Sequence, residues 1–191
     1  MEQIAPISRA PGDLEFVRAF VNTLDIATDL DQLRDRAAWR VWAASYGIDG
    51  RASVRDLEPV RDLRESLRQA MLANHQRAPL PAHTAKALSA AAERAQVAVQ
   101  FGVDGARLSS PGAGIDGVLG RVVVSVAAAM NDGTWSRLKA CVNDECQWGF
   151  YDHSRSRTGQ WCSMNICGNR AKQTRWRGQK NGGAGKDRDA P

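Results

Sequence analysis

The sequence predicts a mainly α fold with a small β ribbon (α+β). A helical N-terminal domain over residues 1–136 is followed by a small cysteine-bearing module at 137–180 and a tail at 181–191. Three observations point there. Apolar residues recur at helical spacing in five segments before residue 136. All four cysteines fall after it. The charge is divided at the same place: residues 1–136 hold 15 Lys/Arg against 16 Asp/Glu, while 137–191 hold 11 against 5, a net of +6. With 191 residues, 43% apolar and 25% charged, the chain can bury a real core, which excludes a wholly disordered chain, a collagen-like repeat and a long coiled coil.

The elements follow in order. Leu14, Val17, Phe20, Val21 and Leu24 form the first stripe, with Asp13 as the expected N-cap. A second helix is expected over about 32–45, capped by Asp31, with Leu33, Ala37, Val41 and Trp42 inward and Gly47 past its end. The third covers about 57–74, with Pro59 in its first turn and Val60, Leu63, Leu67, Ala70 and Met71 on one face. Pro79 and Pro81 break the chain before an Ala-rich helix at about 83–95. Val97, Val99 and Phe101 then alternate, and Asp104-Gly105 marks a hairpin returning through Ala106–Ser109. A fifth helix carries Ile115, Val118, Leu119, Val122, Val126 and Met130, ended by Asn131-Asp132-Gly133. Asn22 and Asp25 lie on or beside the first stripe, either as buried groups satisfied by backbone or as the lining of a ligand pocket. The ligand-binding residues are unknown at this stage. The polar, Gly-rich residues from Asn181 onward are expected to be disordered.

The longest apolar run, Val122–Met130, is half of what a spanning helix needs and contains Ser125. The first residues lack a basic, apolar leader, so the expectation is a cytoplasmic chain without a membrane partner. Cysteines clustered in a reduced compartment read as metal ligands before disulfides. The spacing Cys141-x4-Cys146-x15-Cys162-x4-Cys167 offers four thiolates to one tetrahedral ion. Zinc suits an all-sulfur site, and four protein ligands leave no position for substrate, so one structural Zn2+ per chain is expected. Two disulfides, an iron–sulfur cluster and a redox-switched zinc site are the alternatives, and His153 between the pairs could replace one cysteine. Trp148, Phe150 and Trp161 would form a miniature core around the metal, with base stacking as the other use of an exposed ring. Backbone N–H groups of the two knuckles, helped by Arg170, would offset the thiolate charge. Asp152, as a capping or Arg-pairing residue, would shape the loop from Asp152 to Gly159. No catalysis is expected, since the coordination is closed and His75 and His83 have no recognisable nucleophile partner.

Cys141, Cys146, Trp148, Phe150, Asp152, Ser154, Arg155, Arg157, Trp161, Cys162, Met164 and then Cys167-Gly168-Asn169-Arg170-x-Lys172 resemble the CGNR zinc-finger family. Phe20-Val21-Asn22-Thr23-Leu24-Asp25 is similar to the start of the helical domain that accompanies this finger. The resemblance implies a bacterial, stress-induced transcription regulator, with an α-helical N-terminal domain and a small treble-clef or ribbon-like zinc finger. On that reading the segment from Met164 to Arg177 is a helix with Met164, Cys167 and Ala171 toward the metal. Lys172, Arg175, Arg177 and Lys180 would touch phosphates, while Asn169, Arg170 and Gln173 could read base edges. The expected partners are DNA, a second copy pairing half-sites in a homodimer, and an unknown small-molecule effector. The alternative function is a zinc-stabilised protein-interaction module that does not touch nucleic acid.

Overall fold

Helices frame the computed structural model, which describes residues 9–182. In α1 (Leu14–Val21), Leu14, Phe16, Val17, Phe20 and Val21 are buried. The helix stops at Asn22, so Leu24 falls instead in β1 (Leu24–Asp25), paired antiparallel with β2 (Leu30–Asp31). Asp13 makes no side-chain cap; its carboxylate accepts from Arg121 at 3.0 Å.

α2 (Arg36–Ala44) begins later than the sequence suggests, because Asp35 rather than Asp31 caps it, accepting from the amides of Ala37 and Ala38 at 2.9 and 2.8 Å. Asp31 is already claimed by Arg64, bidentate at 2.6 and 3.0 Å. The buried face of α2 is Trp39, Trp42 and Ala43, while Ala37 and Val41 stand in solvent. Two indoles bury far more apolar area than an alanine and a valine, and they set the orientation.

α3 (Val54–Ala73) also starts outside its expected bounds. Ser53 and Asp56 form a capping box, Ser53 Oγ accepting from the Asp56 amide at 3.2 Å and Asp56 accepting from the Ser53 amide at 2.8 Å. Pro59 therefore lies in the second turn, where its missing N–H costs one intrahelical bond on an exposed face. α4 (Ala82–Arg94), the ribbon β3 (Ala98–Gly102) and β4 (Gly105–Ser109), and α5 (Gly114–Asn131) match the expected pattern. The register Gly102↔Gly105 leaves Val103 and Asp104 as a two-residue turn, with Gly105 at φ +124°.

α5 is long and apolar enough to cross a membrane by length and composition. In the fold it is a core helix, packed on α1, α3 and α4 through Ile115, Val118, Leu119, Val122 and Val126. The chain then makes one 3-10 turn (Trp135–Arg137) into β5 (Leu138–Ala140), which pairs with β6 (Gly149–Tyr151) in the register Leu138↔Tyr151. A wide turn (Met164–Gly168) leads into α6 (Asn169–Gly182). Trp135, Leu138, Ala140 and Tyr151 belong to the same buried cluster as the helices, so one core runs across residue 137. The expected disordered tail lies outside the described residues from 183 onward; Asn181 and Gly182 complete α6.

Candidate metal centre

Two backbone knuckles present the cysteines. In the first, Asn143 closes the loop: its carbonyl accepts from Cys146 N at 2.8 Å and Gln147 N at 2.9 Å, and its side chain accepts from Glu145 N at 3.1 Å. Gln147 takes a left-handed φ of +44° to turn the chain back, and Cys141 N donates to Trp148 O at 3.0 Å. The second knuckle is the wide turn after Cys162, closed by Gly168 N donating to Ser163 O at 3.1 Å. Val142 N donates to Gln160 O at 3.1 Å and ties the two together.

These loops bring the four Sγ atoms within 4.8 Å of one another. Four sulfurs each about 2.3 Å from one ion at tetrahedral angles stand about 3.8 Å apart. Cys146 and Cys162 are 3.6 Å apart and Cys162 and Cys167 are 3.8 Å apart, so the donor set fits a single zinc ion. Those separations are far beyond a disulfide bond of about 2.05 Å. Cys141 and Cys167 are buried and Cys146 and Cys162 half-buried. Among themselves the thiols share one negative charge readily: hydrogen bonds from Cys146 and Cys162 hold Cys141 down to about 2. The same contact with Cys141 pushes Cys146 up to about 12, and Cys162 is driven upward by both neighbours. A divalent cation lets all four ionise. Amides of Asn143 and Cys162 donate to Cys141 sulfur and that of Trp148 to Cys146 sulfur, as knuckles should. Arg170 stands exposed beside a cleft that Cys167 also lines, and Asn143 Nδ2 approaches Cys167 Sγ at 3.9 Å. His153 lies elsewhere, bonded to Arg9 O at 2.9 Å and edge-on to Tyr151.

Buried polar side chains of the helical domain hold the finger from behind. Asn22 pairs with the backbone of Gly149 twice, accepting from its N at 2.6 Å and donating to its O at 2.9 Å. Arg68, 1% exposed, donates to Val21 O, Leu24 O and Gln147 O. Asn74 donates to Trp135 O and Leu138 O, and His75 Nε2 lies 2.6 Å from Ala140 O, one residue before the first ligand. Asn22 is thus a backbone-satisfying group rather than a pocket residue, and Asp25 accepts from Ala27 N in its own loop. Asn22→Ala should orphan the Gly149 amide, leave its carbonyl only the longer bond from Arg18 Nη1 at 3.3 Å, and lower stability by about 1–3 kcal/mol in chemical denaturation. Gly149→Ala should destabilise too, since a Cβ there would meet Met71 Cε at 2.8 Å and Asn22 Oδ1 at 3.0 Å.

The sequence reading missed the buried pair Lys139–Asp152, 2.8 Å apart with side chains 2% and 3% exposed. Lys139 Nζ also donates to Arg157 O at 2.7 Å, and Asp152 accepts from Ser154 N, Ser154 Oγ and Gly159 N. Asp152 therefore shapes its loop, with a lysine in place of the expected arginine as its ion-pair partner. Burial alone would push its carboxyl up, but the bonds from Lys139, Ser154 and Gly159 hold it well below the usual range. The aromatic core divides. Phe150 is buried near His75, Trp148 and Trp161 are half-buried, and Tyr151 packs into the helical core.

Asn169, Arg170, Lys172 and Gln173 are all exposed on α6. The side chains of Arg175, Arg177 and Lys180 lie outside the described set, although the helix passes through them. Met164 is 54% exposed, with its thioether over Gly168, while Cys167 is buried. Residues 137–180 match the family model of the CGNR zinc finger, and residues 15–132 match that of ABATE, described as "Putative stress-induced transcription regulator". No curated protein matches the chain.

Proposed function

Since the chain belongs to the ABATE family, we propose that it is a transcription regulator that binds duplex DNA through α6, held in place by one structural zinc. The observation that carries this reading is the position of α6. It leaves the finger two residues after the fourth cysteine, and Asn169, Arg170, Lys172 and Gln173 all face solvent. No ion pair among the described residues occupies Arg170 or Lys172. Cationic groups positioned this way suit phosphates, and Asn169, Arg170 and Gln173 have the donors and acceptors that base edges require. The zinc does no chemistry; it fixes the start of the helix relative to the helical domain. Pairing of half-sites by a homodimer and control by an effector on the helical domain belong to the same proposal.

The test is duplex binding across a salt series. The parent should show log K falling linearly with log salt, and the triple alanine variant of Lys172, Arg175 and Arg177 should reduce that slope by about three units. Asn169→Ala should reduce discrimination between sites more than overall affinity. If the triple variant binds as the parent does, α6 is a solvated face and the zinc-stabilised protein-interaction module replaces the DNA reading.

A further inference from the structure

Between the helical domain and the finger lies a cleft of about 560 Å³, within the usual range for small-molecule sites. Arg77, Leu80 and Met130 line it from the helical side, and Arg155, Ser156 and Arg157 from the finger loop. No carboxylate lines it, and no ion pair engages any of these three guanidinium groups among the described residues.

The loop that carries two of the arginines is anchored from within. Gly159 N donating to the Asp152 carboxylate joins its ends, Lys139 pairs with Asp152 and also holds Arg157 O, and Arg137 Nη1 donates to the carbonyls of Asp152 and Ser154 at 3.0 and 3.1 Å. A buried ion pair is a costly way to fix an exposed loop. What it fixes here is Arg155 and Arg157 opposite Arg77. Both Arg77 and Arg157 take left-handed φ, +52° and +56°, in turns that set where their side chains emerge. Three arginines without an ion pair among the described residues line a concave space, on backbone that the loop anchors hold, with Leu80 half-buried and Met130 exposed beside them: a cationic cleft with an apolar flank.

From this geometry we infer that the cleft binds a small phosphoester, its phosphoryl group among Arg77, Arg155 and Arg157 and its body against Leu80 and Met130. Three guanidiniums exceed what a single carboxylate can match, whereas a phosphoryl group carries up to two charges and three acceptor oxygens. A duplex is too broad to enter a cleft of this size. A bound ligand would bridge both modules, so its occupancy would bear on how firmly the finger is held.

Calorimetry on the zinc-loaded full chain tests this with AMP, inorganic phosphate and adenosine as probes. AMP should bind one per chain, adenosine should not, and Arg77→Gln and Arg155→Gln should each weaken binding by about tenfold, with zinc content and circular dichroism unchanged. AMP binding tighter than inorganic phosphate assigns the site to phosphoesters; equal or weaker binding assigns it to free phosphate and overturns the apolar flank. Absence of saturable binding by both overturns the site. So does unchanged affinity in the doubly substituted chain. A duplex that displaces AMP, and itself binds less tightly to Arg77→Gln, would make the cleft a nucleic-acid contact instead.

Discussion

Cys167→Ser should lose the zinc that the parent carries at about one per chain, measured by elemental analysis, and should unfold the C-terminal third. Binding to four thiolates contributes on the order of 10–16 kcal/mol of folding free energy in small zinc modules, so three ligands cannot substitute for four. The helical signal should persist, because α1 to α5 bury their own stripes. Its melting temperature should nonetheless fall, since Leu138, Ala140 and Tyr151 leave the shared core when the finger opens. Acid should release the metal as protons compete for the thiolates. Full zinc content in Cys167→Ser would contradict the four-sulfur site.

Asp152→Ala should cost about 3–5 kcal/mol, because it leaves the Lys139 ammonium buried without its partner. The carbonyls of Arg157 and Gly159 remain as acceptors, so the loss should sit toward the lower end if they hold the lysine. The pH dependence has a definite sign. The Asp152 carboxyl is depressed in the folded chain, so its stabilising contribution is present above the ordinary carboxylate pKa of about 4. It is lost progressively as pH falls below that value toward the folded one. Parent and Asp152→Ala should therefore differ most near neutrality and converge in strong acid, as read by urea midpoints across pH. A difference that grew on acidification would contradict the pairing.

Much of this was legible from local pattern. The five helices follow from local pattern, although Ala37 and Val41 of α2 stand in solvent, and the cysteine spacing defines the metal cluster, since both signals lie within a few dozen residues. Most of the differences lie where a distant partner decides. Asp31 and Asp35 are equally capable caps by sequence, and Arg64, 33 residues away, removes one of them. Ser53 and Asp56 offered a capping box ahead of Pro59, a local signal outweighed by the habit of placing proline in a first turn. Asn22 meets Gly149 across 127 positions, and no periodicity announces that contact. Arg68, at helical spacing beside Leu67, is buried and reaches Gln147 O of the finger, a contact that the apolar pattern of its helix does not announce.

The most direct test of the whole account is duplex DNA binding by the full chain with zinc bound and after chelation, across salt. Zinc-loaded protein should bind with a steep salt dependence, and chelation should abolish binding while most helical circular dichroism remains. Readdition of zinc should restore it. Unchanged DNA binding by the metal-free chain would contradict the claim that a zinc-held α6 is the contact surface.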